Sequence, residues 1–296
     1  MDIAVVGAGS LGSLLGAMLA RDHDVTLVGR EPHVDAVDRD GLHVVGVEAF
    51  HVEPTARTDV PEAADLAVVA VKSGDTAAVA EQLADRSLGA CLSVQNGLGN
   101  EATLAARLDC PVLAGTCTYG ARLDGPGRVA FTGRGEVVLG PREGGRSERA
   151  DRVGEAFASA GVETTVAADM PTRLWEKLAV NAAINAVTAL ARVENGALVD
   201  GPAASVAVDA ARETARVARE QGVDLAADDV VDRARRVARD TAANRSSMLQ
   251  DVENGRRTEI DAINGYVVAV AETPVPVNET LTGLVRAWER ANADGA

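Results

Sequence analysis

Two textures of apolar spacing divide the chain. Up to about residue 166, short β-branched runs recur, each closed by glycine or a polar pair. Asp2–Val6, Asp24–Val28, Ala64–Val71, Ala90–Val94 and Pro111–Thr118 read as buried parallel strands, and Glu163–Val166 closes the set. His43–Val52 and Arg128–Gly140 are β-rich segments broken by glycine, while Ser147–Ala160 is helical. From Asp169 the spacing turns helical, with helices at about Ala203–Gln221, Ala226–Thr241, Ser247–Val252 and Glu259–Ala271. Ser247 with Gln250, and Thr258 with Asp261, have the form of capping boxes, the second placing Glu259 in a first helical turn.

The most unusual helical pattern lies at Leu174–Leu190, LWEKLAVNAAINAVTAL. It has the alanine and leucine content of a buried helix and no glycine or proline. Lys177, Asn181 and Asn185 interrupt it at intervals of four. At 3.6 residues per turn such a spacing drifts only ~40° per step, so the three side chains share one face. Asparagine is a poor mid-helix residue, and an unpaired buried amide costs roughly 1–3 kcal/mol. Either this face meets water, or it presents one ammonium and two amides to a small polar ligand.

The start of the chain bears on that choice. Asp2–Val6 runs into Gly7-Ala8-Gly9-Ser10-Leu11-Gly12 and then a small-residue helix to about Arg21, which is the strand, GxGxxG and helix order of a dinucleotide-binding turn. Gly7 permits the tight turn, Gly9 lets a pyrophosphate approach the backbone, and Gly12 lets helix lie close on strand. The helix N-terminus adds free N–H groups and partial positive charge. The expected architecture is therefore α/β: an N-terminal Rossmann-type doubly wound sheet over 1–168, followed by an all-helical substrate and catalytic domain over 169–296. Asp24–Val28 ends in Gly29-Arg30, where an NAD site places an acid; arginine suits a 2′-phosphate, so NADPH is expected, with NADH possible because Glu31 follows. Lys72 ends one strand and Asn96 another, at the sheet edge where open α/β sheets bind ligands.

Charge and composition narrow the class. A net charge of −15 argues against nucleic acid or an anionic membrane as partner. No window of about 20 residues is continuously apolar, and Met1 leads straight into an apolar run, so neither a membrane span nor a secretory leader is expected. Cys91, Cys110 and Cys117 show no metal-ligand spacing with the histidines, which points to a reduced cytoplasm and no structural metal. Acidic residues are spread along the chain and aromatics are 2% of it, a composition suited to molar salt. Of the 29 basic residues only Lys72 and Lys177 are lysine. Arginine stays protonated, so a proton-donating position cannot readily accept it, and Lys177 stands out a second time.

With these residues assembled, the chain resembles the ketopantoate reductase (2-dehydropantoate 2-reductase) family over nearly its full length. The matching segments are GAGSLG, the Lys72 strand end, QNG, WEKLAVNAAIN, ENGAL, NRSSMLQD and TEIDAING. The resemblance implies NADPH-dependent reduction of 2-dehydropantoate to (R)-pantoate, on the route to pantothenate and coenzyme A. It implies that Lys177 is the proton donor and that Asn181 and Asn185 are substrate ligands. Asn195, Asn244 and Ser247 would also face the substrate, Ser247 near its carboxylate. Asn96 would lie between substrate and cofactor, and Glu259 on the cofactor side of the cleft. Gly7, Ala8, Gly9, Ser10, Leu11, Gly12, Arg30, Lys72 and Ala121 match cofactor-contacting positions. Departures from the family's pattern are small: the tail after Gly265 is short, and Val193-Glu194 stands before Asn195 where the family often has proline. A paralogue reducing another branched 2-oxo acid would share all of these residues; a non-catalytic NADP(H) sensor would need no Lys/Asn stripe. A helical second domain suits a homodimer.

Overall fold

A computed structural model describes residues 1–292, which divide into two compact units. The first holds Met1–Gln95 and Asn100–Met170; the second begins at Pro171 and also includes Asn96–Gly99. The break thus falls at Met170/Pro171, just beyond the boundary expected from texture, and Asn96 and Gly97 of the QNG turn belong with the helices.

The first unit is built on an eight-stranded sheet: β1 (Asp2–Val6), β2 (Asp24–Val28), β3 (Thr55–Arg57), β4 (Leu66–Val69), β5 (Cys91–Ser93), β6 (Val112–Cys117), β7 (Val137–Pro141) and β8 (Thr164–Val166). Their spatial order is β8-β7-β6-β5-β4-β1-β2-β3. Strands β3 to β6 pair in parallel across β2 and β1, whereas β7 runs antiparallel to β6. Ile3 and Val5 pack into one core, Val6 and Val69 into another, so both sheet faces are covered, as a doubly wound sheet requires. The order reverses between β1 and β4, and their carboxyl ends open the crevice at which such sheets bind ligands.

The glycine-broken β segments do not extend this sheet as one piece. Gly120–Leu123, Arg128–Gly133, Leu42–Gly46 and Phe50–Val52 form a separate four-stranded sheet. The segment 128–140 is therefore split, with only Val137–Pro141 joining the main sheet. Gly133 and Gly135 lie at the break, and a Cβ on Gly135 would sit 2.4 Å from the Tyr119 nitrogen, so no other residue fits there.

The second unit is helical: Met170–Ala191, Ala204–Glu220, Ala227–Asp240, Ser247–Glu253, Asn264–Val270 and Pro276–Asn292, with a short turn at Ala197–Asp200. Two expectations need correction. The helices expected from spacing stop at Ala271, yet Pro276–Asn292 is a further 17-residue helix. Pro276 starts it, where a missing N–H costs nothing, and the free N–H groups of Val277 and Asn278 donate to the buried carboxylate of Glu213 at 3.0 and 2.9 Å. The helix expected from Glu259 begins instead at Asn264, leaving Glu259–Ile263 as turns. The Thr258 hydroxyl does accept from Ile260 N–H at 3.2 Å, but the Thr258 N–H donates to Glu289 at 2.7 Å and not to Asp261, so the reciprocal half of a capping box is missing.

The Met170–Ala191 helix is held from behind by amides. Asn264, fully buried, donates to the Ala182 carbonyl at 3.1 Å and to Asn278 Oδ1 at 2.9 Å; Asn278 in turn donates to Glu213 at 2.7 Å. Buried polar groups bonded in this way fix one packing arrangement.

Candidate active site

In the first unit, the turn after β1 is shaped by contacts that only glycine allows. Gly7 has φ +107°, and a Cβ there would lie 2.6 Å from the Val71 nitrogen beyond β4. At Gly12 a Cβ would lie 2.1 Å from the Gly7 carbonyl oxygen. Gly9 differs: a Cβ there meets nothing within 4 Å. The protein's own packing leaves Gly9 free to carry a side chain, so the approach of a ligand is what its bare backbone serves. Gly9 is also the N-cap of the Ser10–Leu19 helix, whose first-turn N–H groups lack intrahelical acceptors. Together these features fit a dinucleotide pyrophosphate.

Neighbouring strand ends converge on this turn. Gly7 and Ala8 N–H both donate to the Val28 carbonyl at 2.9 Å, which brings Gly29-Arg30 beside it. Arg30 is 93% exposed, with Asp75 Oδ2 3.9 Å from its guanidinium. Lys72, half-buried, follows β4 and opens a single 3₁₀ turn, Ser73–Asp75. Ala121 lies on the small sheet, where Leu123 N–H donates to Ser10 Oγ at 3.0 Å. That bond leaves the Ser10 hydroxyl proton available to an anion. His33 ties the Arg30 segment to the same helix. Its Nδ1 accepts from Gly127 N–H at 3.1 Å, so the ring proton lies on Nε2 and is donated to the buried Ser13 Oγ at 3.0 Å. Burial holds the His33 pKa below the usual imidazole value.

In the second unit, the stripe does not face open water. Lys177 and Asn181 are half-buried and Asn185 is buried, on a helix whose remaining faces contribute Trp175, Leu178, Ala179, Ala182, Ala183 and Ala186 to the core. No described residue takes up the side-chain amides of Asn181 or Asn185 in a hydrogen bond. Half-buried or buried amides without protein partners point to a polar ligand. Beside Lys177, Glu176 is already engaged by Arg233. The row ends at Thr188, fully buried, whose Oγ1 lies 2.7 Å from Ser246 Oγ and donates to the Ile184 carbonyl at 2.8 Å.

Ser246, not Ser247, caps the following helix, accepting from Leu249 N–H at 3.1 Å. The cap sits one residue earlier than the Ser247–Gln250 spacing suggests, because Thr188 supplies a partner for Ser246 alone. Ser247 is exposed and its hydroxyl is not used in capping. Asn195 N–H donates to the Asn244 carbonyl at 3.0 Å, stitching two loops together; the Asn244 side chain is exposed. Asn195 itself is buried, its amide nitrogen donating to Thr241 Oγ1 at 2.9 Å, while its Oδ1 has no partner among the described residues. Asn96 Nδ2 donates to Glu259 Oε2 at 3.0 Å, so the QNG turn and the TEID segment meet directly. Trp175 and Tyr266 stack edge to face at 6.0 Å close by Gly99.

Thr188 and the capping role of Ser246 went unnoticed in the sequence, and Thr258 was read only as a cap. Thr188 continues the stripe three residues beyond Asn185, a spacing that could have marked it. Cys91 and Cys117 are buried, and burial pushes the Cys91 thiol upward, so it is inert as a nucleophile. Among the described residues no cluster could hold a metal ion, and no helix is long and apolar enough to cross a membrane.

Comparison with known proteins gives the family and the fold. Residues 3–144 match the family Ketopantoate reductase PanE/ApbA, and residues 169–289 match its C-terminal counterpart. A 2-dehydropantoate 2-reductase of Halobacterium salinarum is 45% identical, covering 98% of this chain and 99% of its own. The crystal structure of a PanE/ApbA family ketopantoate reductase from Ralstonia eutropha superposes with a TM-score of 0.91 at 36% identity, over 99% of each chain. A D-mandelate dehydrogenase solved with NADH and anilino(oxo)acetate shares the fold, with a TM-score of 0.91 at 24% identity over 98% of this chain and 99% of its own.

Proposed function

The chain belongs to the ketopantoate reductase family and is an oxidoreductase acting on 2-dehydropantoate; we propose that it works with NADPH and that Lys177 is its proton donor. The observation that carries this reading is the Lys177, Asn181 and Asn185 row, recessed yet with both amides unclaimed by any described residue. Bound NADPH supplies the hydride that converts the 2-oxo carbon into a carbinol carbon. The Gly7–Gly12 turn, the first-turn N–H groups and the Ser10 hydroxyl bind the pyrophosphate. Arg30 takes the 2′-phosphate, and Lys72 and Ala121 line the same cofactor site.

Lys177 Nζ gives a proton to the carbonyl oxygen as negative charge develops there, a role typically worth 10²- to 10⁴-fold in rate. Asn181 and Asn185 offer both donors and acceptors, which suits a substrate with a ketone and a distal hydroxyl. Asn195, Asn244 and Ser247 complete the substrate set, Ser247 near the carboxylate. Asn96, held by Glu259, orients the reacting end. An anionic substrate and cofactor reach a protein of charge −15 because Arg30, Lys72, Lys177 and the helix N-terminus are locally positive.

The test is NADPH oxidation with 2-dehydropantoate beside a panel of branched and aromatic 2-oxo acids. Turnover of 2-dehydropantoate should exceed the others, and Lys177→Ala should lower kcat at least about 10²-fold while NADPH still binds. Lys177→Arg should fail as well, because the guanidinium fork is wider and holds its proton. A fully active arginine variant would remove the lysine from the mechanism.

A further inference from the structure

Glu289 breaks two local rules. It lies in the last turn of the Pro276–Asn292 helix, where the macrodipole disfavours an anion, and it is only 8% exposed. Both penalties are offset by one neighbour. Thr258 N–H and Thr258 Oγ1–H donate to Glu289 Oε1 at 2.7 and 2.6 Å, two charge-assisted hydrogen bonds on a single oxygen.

Thr258 immediately precedes Glu259, and the turn it opens carries several contacts. Glu259 Oε2 accepts from Asn96 Nδ2, and the Glu259 carbonyl accepts from Ala262 and Ile263 N–H at 3.1 Å each. The Ala262 carbonyl then accepts from Leu98 N–H at 3.1 Å, and a Cβ on Gly97 would lie 2.4 Å from that same oxygen. Asn96, Gly97 and Leu98 are thus laid against a turn whose first residue is anchored by Glu289. Within the turn Ile260 and Ile263 are buried in the helical core, whereas Glu259 is half-buried and Asp261 exposed, so it is the polar end beside Thr258 that hydrogen bonds must hold.

We propose that Glu289 is a positioning residue for the reduction, acting through Thr258 to fix the Glu259 carboxylate and, through it, the Asn96 amide. Glu289 touches neither reacting group. The proposal rests on the reading above that Asn96 and Glu259 serve the reaction. Its logic is geometric: displacement of an orienting group by about 1 Å can cost up to about 10²-fold in rate.

A double-mutant cycle on the full-length enzyme tests it, with kcat/KM for 2-dehydropantoate as readout and thermal unfolding in parallel. Glu289→Ala should lower kcat/KM about 10- to 10²-fold. Glu289→Gln keeps an Oε1 acceptor for both donors and should restore most of that loss. In a Glu259→Ala background, Glu289→Ala should cost little more, because nothing remains to be positioned. Additive losses from a harmful Glu259→Ala and Glu289→Ala would assign Glu289 to stability alone and overturn the proposal while leaving the function intact. An unchanged kcat/KM in Glu259→Ala would remove Glu259 from the site, and this proposal with it. Should Glu289→Ala not fold, Thr258→Val, which deletes one of the two donors, takes its place in the cycle. A loss that vanishes in the Glu259→Ala background supports the proposal, and no loss refutes it.

Discussion

Adding one methyl group separates the two roles of glycine in the nucleotide turn. At Gly9 the backbone is extended, with φ −81°, and a Cβ would meet nothing within 4 Å. Gly9→Ala should therefore fold. A poorer N-cap costs about 1 kcal/mol, and the reduced freedom of the unfolded chain returns about 0.4–1 kcal/mol. Binding is another matter, because the methyl occupies the side from which a pyrophosphate must approach. Loss of one or two hydrogen bonds to a charged group, at roughly 1.5–3 kcal/mol each, raises the NADPH Kd by at least about tenfold. At Gly12 the same methyl would lie 2.1 Å from the Gly7 carbonyl oxygen and 3.3 Å from Ala70 Cβ, and a backbone oxygen cannot swing aside. Gly12→Ala should cost about 1–3 kcal/mol or more in stability before any ligand is added. The assay pairs the apo unfolding midpoint with NADPH titration followed by nucleotide fluorescence. A Gly9→Ala protein that binds NADPH like the parent would show that the turn does not hold the cofactor. Equal destabilisation by the two substitutions would refute the division of roles.

Three further outcomes follow. Arg30→Ala should raise KM for NADPH more than for NADH, since the 93%-exposed guanidinium is held only loosely by Asp75 at 3.9 Å; equal effects would withdraw the 2′-phosphate assignment. His33 is neutral in the folded protein with its pKa lowered, so the unfolded chain binds the extra proton first. Its contribution is complete above the ordinary value of 6.5 and declines as pH falls from there towards the lowered folded value; unfolding midpoints should show that limb, and His33→Gln should flatten it. Raising KCl from low to molar concentration should increase the unfolding midpoint, because a charge of −15 repels itself less when the screening length falls to about 3 Å; an unchanged midpoint would count against a salt-adapted surface.

The parts legible in the sequence are those governed by short spacing. GxGxxG after Asp2–Val6 identified the turn because strand, glycines and helix are adjacent in the chain, and Lys177, Asn181 and Asn185 aligned because helical periodicity alone puts them on one face. Misreadings arose wherever a distant partner decided the outcome. Ser246 took the capping role from Ser247 because Thr188, 58 residues away, bonds to it. The capping box read at Thr258 is not made because the Thr258 N–H, which it would give to Asp261, goes to Glu289, 31 residues away. The Pro276–Asn292 helix was readable in principle, from proline at its start and Glu279 in its first turn, yet its N-terminus is completed by Glu213 from another helix.

The order of amino acids alone put the glycines in one turn and one ammonium and two amides on one helix face, since backbone geometry carries that information over a few residues. How deeply Asn185 is sunk, which serine caps and which carboxylate holds Asn96 were settled only by folding. Each of those depends on a hydrogen bond or a buried surface shared by segments tens of residues apart, and no local pattern encodes that pairing.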